Sequence, residues 1–131
     1  MEEIKIVIPL PPVTKKNHQQ IFRNSRTGQA FVTPSEQYKR YERDCIPYLW
    51  RKAYLTEIDF PVNIKCLFYM PTRRRCDLTN LLEAIDDIMV KCRVIKDDCF
   101  TIVAGHDGSR VLYDKDHPRT EITITDMEDE I

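Results

Sequence analysis

At 131 residues, with 42% hydrophobic residues and a formal net charge of −1, the chain reads as a single globular domain, 1–131. It is large enough to bury roughly two-thirds of its unfolded surface and to fold without disulfides or structural metal. Five cysteines (Cys45, Cys66, Cys76, Cys92, Cys99) with no C-x-x-C spacing argue against a disulfide framework or a zinc site and for reduced intracellular thiols. With no apolar run near the roughly 20 residues of a membrane span and no signal-peptide pattern at the acidic, proline-bearing N-terminus, the expected compartment is the cytoplasm, with no membrane partner.

The first element, Ile4-Lys5-Ile6-Val7-Ile8, is β-branched and stopped by Pro9, Pro11 and Pro12, which predicts a strand inside the sheet. The polar stretch 13–20, VTKKNHQQ, follows as a loop carrying Lys15, Lys16, Asn17 and His18. A solvated loop and a phosphate-contacting loop are both open there, because ammonium and amide groups donate to backbone oxygens. Residues 21–23 and 30–32 flank a turn signal at Thr27-Gly28 and predict a hairpin. Ser35 is the candidate N-cap of a helix from 36 to about 54, with Tyr38, Tyr41, Cys45, Tyr48, Leu49 and Lys52 near one face. Pro47 predicts a break or kink in it around 45–47.

Residues 60–70 alternate apolar and polar with the period of two expected of a strand, ending at Pro71. After Arg73, Arg74 and Arg75, a helix begins at Asp77, its broad apolar face made by Leu78, Leu81, Leu82, Ile85, Ile88, Met89 and Cys92. Asp77 and Asn80 point the same way at its N-terminus, whereas Asp87 is about 15 Å further along at 1.5 Å per residue and should not share a metal ion with Asp77. Val94-Ile95 leads to Asp97-Asp98. Residues 100–104, 111–113 and 121–125 read as three strands, 114–118 as a turn, and the acidic tail 126–131 as frayed. The order β, hairpin, α, β, α, β, β, β indicates an α+β fold, a mixed α/β layer with two main helices packed on a small mixed sheet.

The near-neutral total hides an asymmetry: residues 14–75 carry +8 and residues 76–131 carry −8. A basic segment leading into an acidic one suits a phosphate-binding surface beside a metal site. Each residue also has an ordinary explanation, with Asp77 as an N-cap, the arginines as a solvated loop and Asp97-Asp98 as a turn. If the fold gathers the acids, two carboxylates about 4 Å apart repel by about 4 kcal/mol, a cost that a bound cation removes. Magnesium suits such a site because it prefers oxygen ligands and keeps waters. With three glycines in all there is no phosphate-cradling loop, and no G-x-S-x-G elbow. His106, Asp107 and Ser109 are neighbours in sequence, which is not a catalytic triad; they read as a strand-connecting turn that brings His106, Asp107 or Arg110 near the site.

The succession PLPPVTKKN, MPTRRRCDLTNLLEAIDDI, VIKDD and HDGSR resembles the RusA family of Holliday junction resolvases, phage-associated endodeoxyribonucleases, over nearly the whole chain. The family's central motif is a basic run and D-L-D-N at a helix start, with an Asp-Asp pair about twenty residues later. The resemblance implies a RusA-like fold and a homodimer that cuts four-way DNA junctions by paired nicks in recombination and repair. Magnesium is the implied cofactor, with manganese as a substitute. Asp77, Asp97 and Asp98 take the catalytic and metal-binding places. Lys15, Lys16, Asn17, Arg73, Arg74, Arg75, Asn80 and Arg110 are the DNA-binding candidates. Two positions depart from the pattern: Thr79 stands where many members have the second motif aspartate, and Glu83 where the family has a lysine. The rivals are an accessory protein that binds junctions without cutting them, having lost catalysis through Thr79, and a nuclease specific for other branched substrates.

Overall fold

A computed structural model describes residues 2–15, 20–23, 25–33, 35–53 and 57–127. The elements follow the expected order: β1 (Ile4–Ile8), β2 (Gln20–Arg23), β3 (Ala30–Thr33), α1 (Glu36–Ala53), β4 (Val62–Met70), α2 (Leu78–Lys91), β5 (Val103–Gly105), β6 (Arg110–Tyr113) and β7 (Arg119–Asp126). The five-stranded sheet runs β1-β7-β4-β5, with β6 pairing β4 beyond β5, and β2-β3 forms a separate antiparallel hairpin. β4 is antiparallel to β7 but parallel to β5 and β6. A parallel pair needs a long crossover, and α2 supplies it. The sheet is therefore mixed and the fold α+β.

Alternation along the three long strands builds the core in rows. Ile6, Ile122 and Cys66 are partners across β1, β7 and β4, as are Ile4, Ile124 and Ile64, then Ile8, Thr120 and Phe68. All but Ile4 are buried, so cross-strand pairing and burial reinforce one register. Leu81, Ala84, Ile85, Ile88 and Met89 of α2 join this core, together with Tyr38, Tyr41, Cys45 and Leu49 of α1. The Ser35 hydroxyl accepts the Tyr38 amide at 3.1 Å and caps α1 as expected.

Five local expectations are corrected. β1 lies at the sheet edge rather than inside it. α1 runs unbroken through Pro47: the proline sits on the exposed face, and buried side chains in the turns on both sides of it offset the lost hydrogen bond. Tyr48 is 40% exposed, off the core face. The segment 100–102 is a turn and β5 starts at Val103, because only there does the chain come into parallel register with Val62. Asp126, expected in the frayed tail, is held in β7, and 128–131 lie outside the described residues.

β4 explains the motif around His106. β5 pairs it at Val62 and Asn63 and β6 pairs it from Leu67 onward. Between them two side chains of the intervening turn complete the ladder: His106 Nδ1 donates to the Ile64 carbonyl at 2.7 Å, and the Cys66 amide donates to Ser109 Oγ at 3.0 Å. Gly108 turns the chain at φ +86, where a Cβ would meet the Lys65 side chain at 3.1 Å, so the position requires glycine. His106 and Ser109 are parts of the sheet.

Candidate nucleic-acid and metal site

The N-terminal end of α2 carries the first group of candidates. Asp77 is the N-cap, with extended backbone (φ −100, ψ 127) but no side-chain cap bond. Its carbonyl accepts the Asn80 and Leu81 amides, while its carboxylate accepts Asn80 Nδ2 at 3.3 Å. Capping by the backbone alone leaves the exposed carboxylate directed at a groove of about 810 Å³, lined by Thr14, Gln37, Arg74, Arg75, Cys76 and Asp77 among others. Thr79, two residues on, is exposed.

Arg73, Arg74 and Arg75 are exposed, and no carboxylate among the described residues is ion-paired to them. The Arg73 guanidinium lies over the Tyr113 ring, 4.2 Å from its centroid. Stacking on an aromatic face orients a guanidinium without neutralising it. Arg119 makes the contrast. It stacks on Tyr69 but also binds Glu121 at 2.6 Å and Asp114 at 2.9 Å, which holds the Asp114 carboxyl below the usual range. Its charge is consumed inside the fold.

The second group lies against the C-terminal half of α2. Asp97 and Asp98 stand exposed on the connection to β5, and Asp97 Oδ1 accepts the Asp98 amide at 2.8 Å. The Asp98 carboxyl is raised, through partial burial and then through repulsion by Asp87 and Asp97. Asp87 in turn is ion-paired with Lys15, the first described cation of the basic loop. Behind them Asp86 is buried, its Oδ2 2.8 Å from His106 Nε2 and its Oδ1 without a partner. Burial raises the Asp86 carboxyl, opposed by His106 and assisted by Asp98 and Asp87. Burial pulls the His106 imidazole down, but the Asp86 hydrogen bond and charge outweigh it and leave it raised.

The structure thus sorts the acids into two groups. Asp77 is separated from Asp87 by the helix, about 15 Å along its axis, and it is Asp87, Asp97 and Asp86 that act on Asp98. Among the described residues no three His, Cys, Asp or Glu side chains gather around one point. Asn80 is beside Asp77 as expected, Arg110 is exposed at the start of β6, and Lys16 and Asn17 lie outside the described residues. Sequence reasoning missed the Asp86–His106 pair and the Lys15–Asp87 pair. The first had a signal, because Asp86 is four residues after Leu82 and three before Met89, inside the apolar arc of the helix. The second had none, since nothing local joins residue 15 to residue 87.

Carboxylates that repel one another suit a divalent cation, and the Asp97–Asp98 pair has that donor chemistry, with Asp77 standing apart from it. None of the described helices is long and apolar enough to cross a membrane. Residues 9–125 match the family described as endodeoxyribonuclease RusA. The crossover junction endodeoxyribonuclease RusA of Aquifex aeolicus (strain VF5) is 30% identical over 98 residues, which span 75% of this chain and 74% of that protein.

Proposed function

The chain belongs to the RusA endodeoxyribonuclease family, and from that premise we propose that it resolves four-way DNA junctions by paired nicks, acting as a homodimer with magnesium. The observation that carries the reading is the placement of unneutralised arginines and an uncapped Asp77 carboxylate on one groove, with a second, mutually repelling acid pair against the C-terminal half of the same helix.

The separation of the two groups bears on how the site is assembled. In a two-fold dimer the contacts are reciprocal. An axis crossing α2 at its middle lays the N-terminal end of one helix beside the C-terminal end of the other. We therefore place each site between chains, with Asp77 from one copy and Asp97 and Asp98 from the other. Manganese would substitute for magnesium in such an oxygen-donor set. Bound there, the cation supplies Lewis-acid polarisation of the phosphoryl oxygen and makes water a competent nucleophile.

The remaining work falls to the chain. Arg73, Arg74, Arg75 and Arg110 position the DNA backbone, with Asn80 holding the Asp77 carboxylate in orientation. Lys15 is ion-paired with Asp87 and, like Arg119, has its charge offset within the fold, so the phosphate-stabilising cation that Glu83 cannot be comes from Arg73, Arg74 or Arg75. Asp87 is in this way committed to Lys15 rather than to metal.

The direct test is nicking of synthetic four-way junctions in magnesium. Paired nicks on opposed strands are expected; salt-sensitive junction binding with no cleavage under any divalent ion would instead identify an accessory protein in which Thr79 has cost the activity. A second expectation concerns the arginines. Arg73→Ala and Arg75→Ala should each weaken binding to junction and duplex alike, and each should reduce the slope of log affinity against log salt by about one. Unchanged slopes would remove these residues from the phosphate contacts.

A further inference from the structure

The turn after the acid pair carries a ring that the fold does not use. Phe100 is 78% exposed, the most exposed large apolar side chain among the described residues. Its mount is fixed at both ends. Ile95 and Ile102 are buried on either side, and Ile95 is bridged to Ile58. The Ile102 and Val103 amides both donate to the Cys99 carbonyl, at 3.0 and 2.8 Å, and the Val62 amide donates to the Ile102 carbonyl at 2.8 Å. Cys99 Sγ lies 3.0 Å from Thr101 Oγ1. The backbone therefore presents the ring outward without freedom to fold it back onto the core.

What the ring meets follows from its distance to Asp98. Two residues span at most about 7 Å of chain, whereas phosphates on one strand follow each other every 3.4 Å or so along the duplex axis. A phosphodiester seated at Asp98 brings the base of its own nucleotide, or of the next, within reach of Phe100. No lysine or arginine occurs from residue 97 to residue 103, so beside its carboxylates this turn offers a flat apolar face and no cation to a phosphate. Bases inside a continuous duplex are already stacked on both faces. Those at a strand exchange have a face to spare.

We propose that Phe100 stacks on a base that flanks the cleaved phosphodiester and is unstacked at the branch point, making it a specificity-determining residue for branched over linear DNA; this rests on the junction reading above. The probe is a four-way junction carrying 2-aminopurine beside the cleaved phosphate, titrated with the full chain in the absence of divalent cation so that no strand is cut. Because the side chain is exposed, its replacement leaves the fold intact. Phe100→Ala should lower junction affinity about tenfold, within the range for stripping one aromatic from a base, and should abolish the fluorescence change at the probe. Linear duplex affinity should stay within about twofold, Phe100→Leu should behave as the alanine variant does, and Phe100→Trp should retain wild-type binding. Junction binding by Phe100→Ala within about twofold of wild type, or full rescue by leucine, would overturn the proposal. So would conversion of dimers to monomers by Phe100→Ala in sedimentation, because the ring would then be covered by a second copy. A wild-type chain that fails to prefer junctions over duplex removes the junction reading itself, an outcome distinct from failure of the ring alone.

Discussion

Mixing the Asp77→Asn chain with the Asp98→Asn chain should restore nicking that neither variant performs alone. Each amide keeps the shape of the carboxylate but removes a charged oxygen donor. The loss for either variant should be at least a hundredfold or so, the upper end of what even an outer-shell change costs a metal site. Within one chain Asp98 is acted on by Asp87, which lies about 15 Å along α2 from Asp77, and the proposed site pairs Asp77 and Asp98 across a two-fold axis instead. A heterodimer of the two variants then holds one dead site with both substitutions and one intact site with neither. Random reassortment makes about half the dimers heterodimers with one of two sites working, so the mixture should nick at about a quarter of the wild-type rate. The nicks should be single rather than paired. If the mixture stays as inactive as its components although subunits exchange, the site lies within one chain and the shared arrangement is wrong. If both single variants cut at the wild-type rate, the metal assignment is wrong.

That Asp77 would open a helix, and that Asn80 would point the same way, was legible in the sequence because both facts are local. Helical periodicity and the cap position are set by residues within a few places of each other. The same is true of the alternation that puts Val62, Ile64, Cys66 and Phe68 of β4 inward. What could not be read was anything depending on which strand lies beside which. The edge position of β1 follows from β7, over a hundred residues later, pairing between it and β4. The helix continues through Pro47 because tertiary burial outweighs a local preference, which no local rule anticipates.

The site divides along the same line. Adjacent acids such as Asp97 and Asp98 were evident as a pair, but their neighbours were not: Asp87 reaches Asp98 only because the chain turns back after α2. Distance along the helix correctly separated Asp87 from Asp77, yet the same argument applied to Asp98 once its place beside Asp87 was known. A linear motif specifies residue types and spacing, and the fold decides at which end of the helix each of them stands.

The largest effect on stability should come from His106, which takes part in no proposed chemistry. Its Nδ1 must carry a proton, because it faces the Ile64 carbonyl at 2.7 Å, an acceptor only. The Asp86 carboxylate lies 2.8 Å from Nε2, so a second proton has to sit between them, and folding retains it. His106→Ala leaves the Ile64 carbonyl and both Asp86 oxygens buried without partners, and about 3 kcal/mol should be lost, as when one member of a buried pair is removed. For a chain of this size that corresponds to a fall in Tm of roughly 10–15 °C. Replacing both members, Asp86→Leu with His106→Leu, should recover part of the loss, since no buried charge is then left alone. The sign of the pH dependence follows from the raised imidazole. The folded chain binds more protons than the unfolded one once pH passes the ordinary histidine value of about 6.5, so the stabilisation is complete below that value and disappears as pH rises through the raised one. Denaturant titrations of the wild-type chain should therefore show a decline across that window that is absent from His106→Gln, whose amide can donate to Asp86 at every pH. Parallel curves for the two chains would mean that the retained proton does not reside on the His106–Asp86 pair.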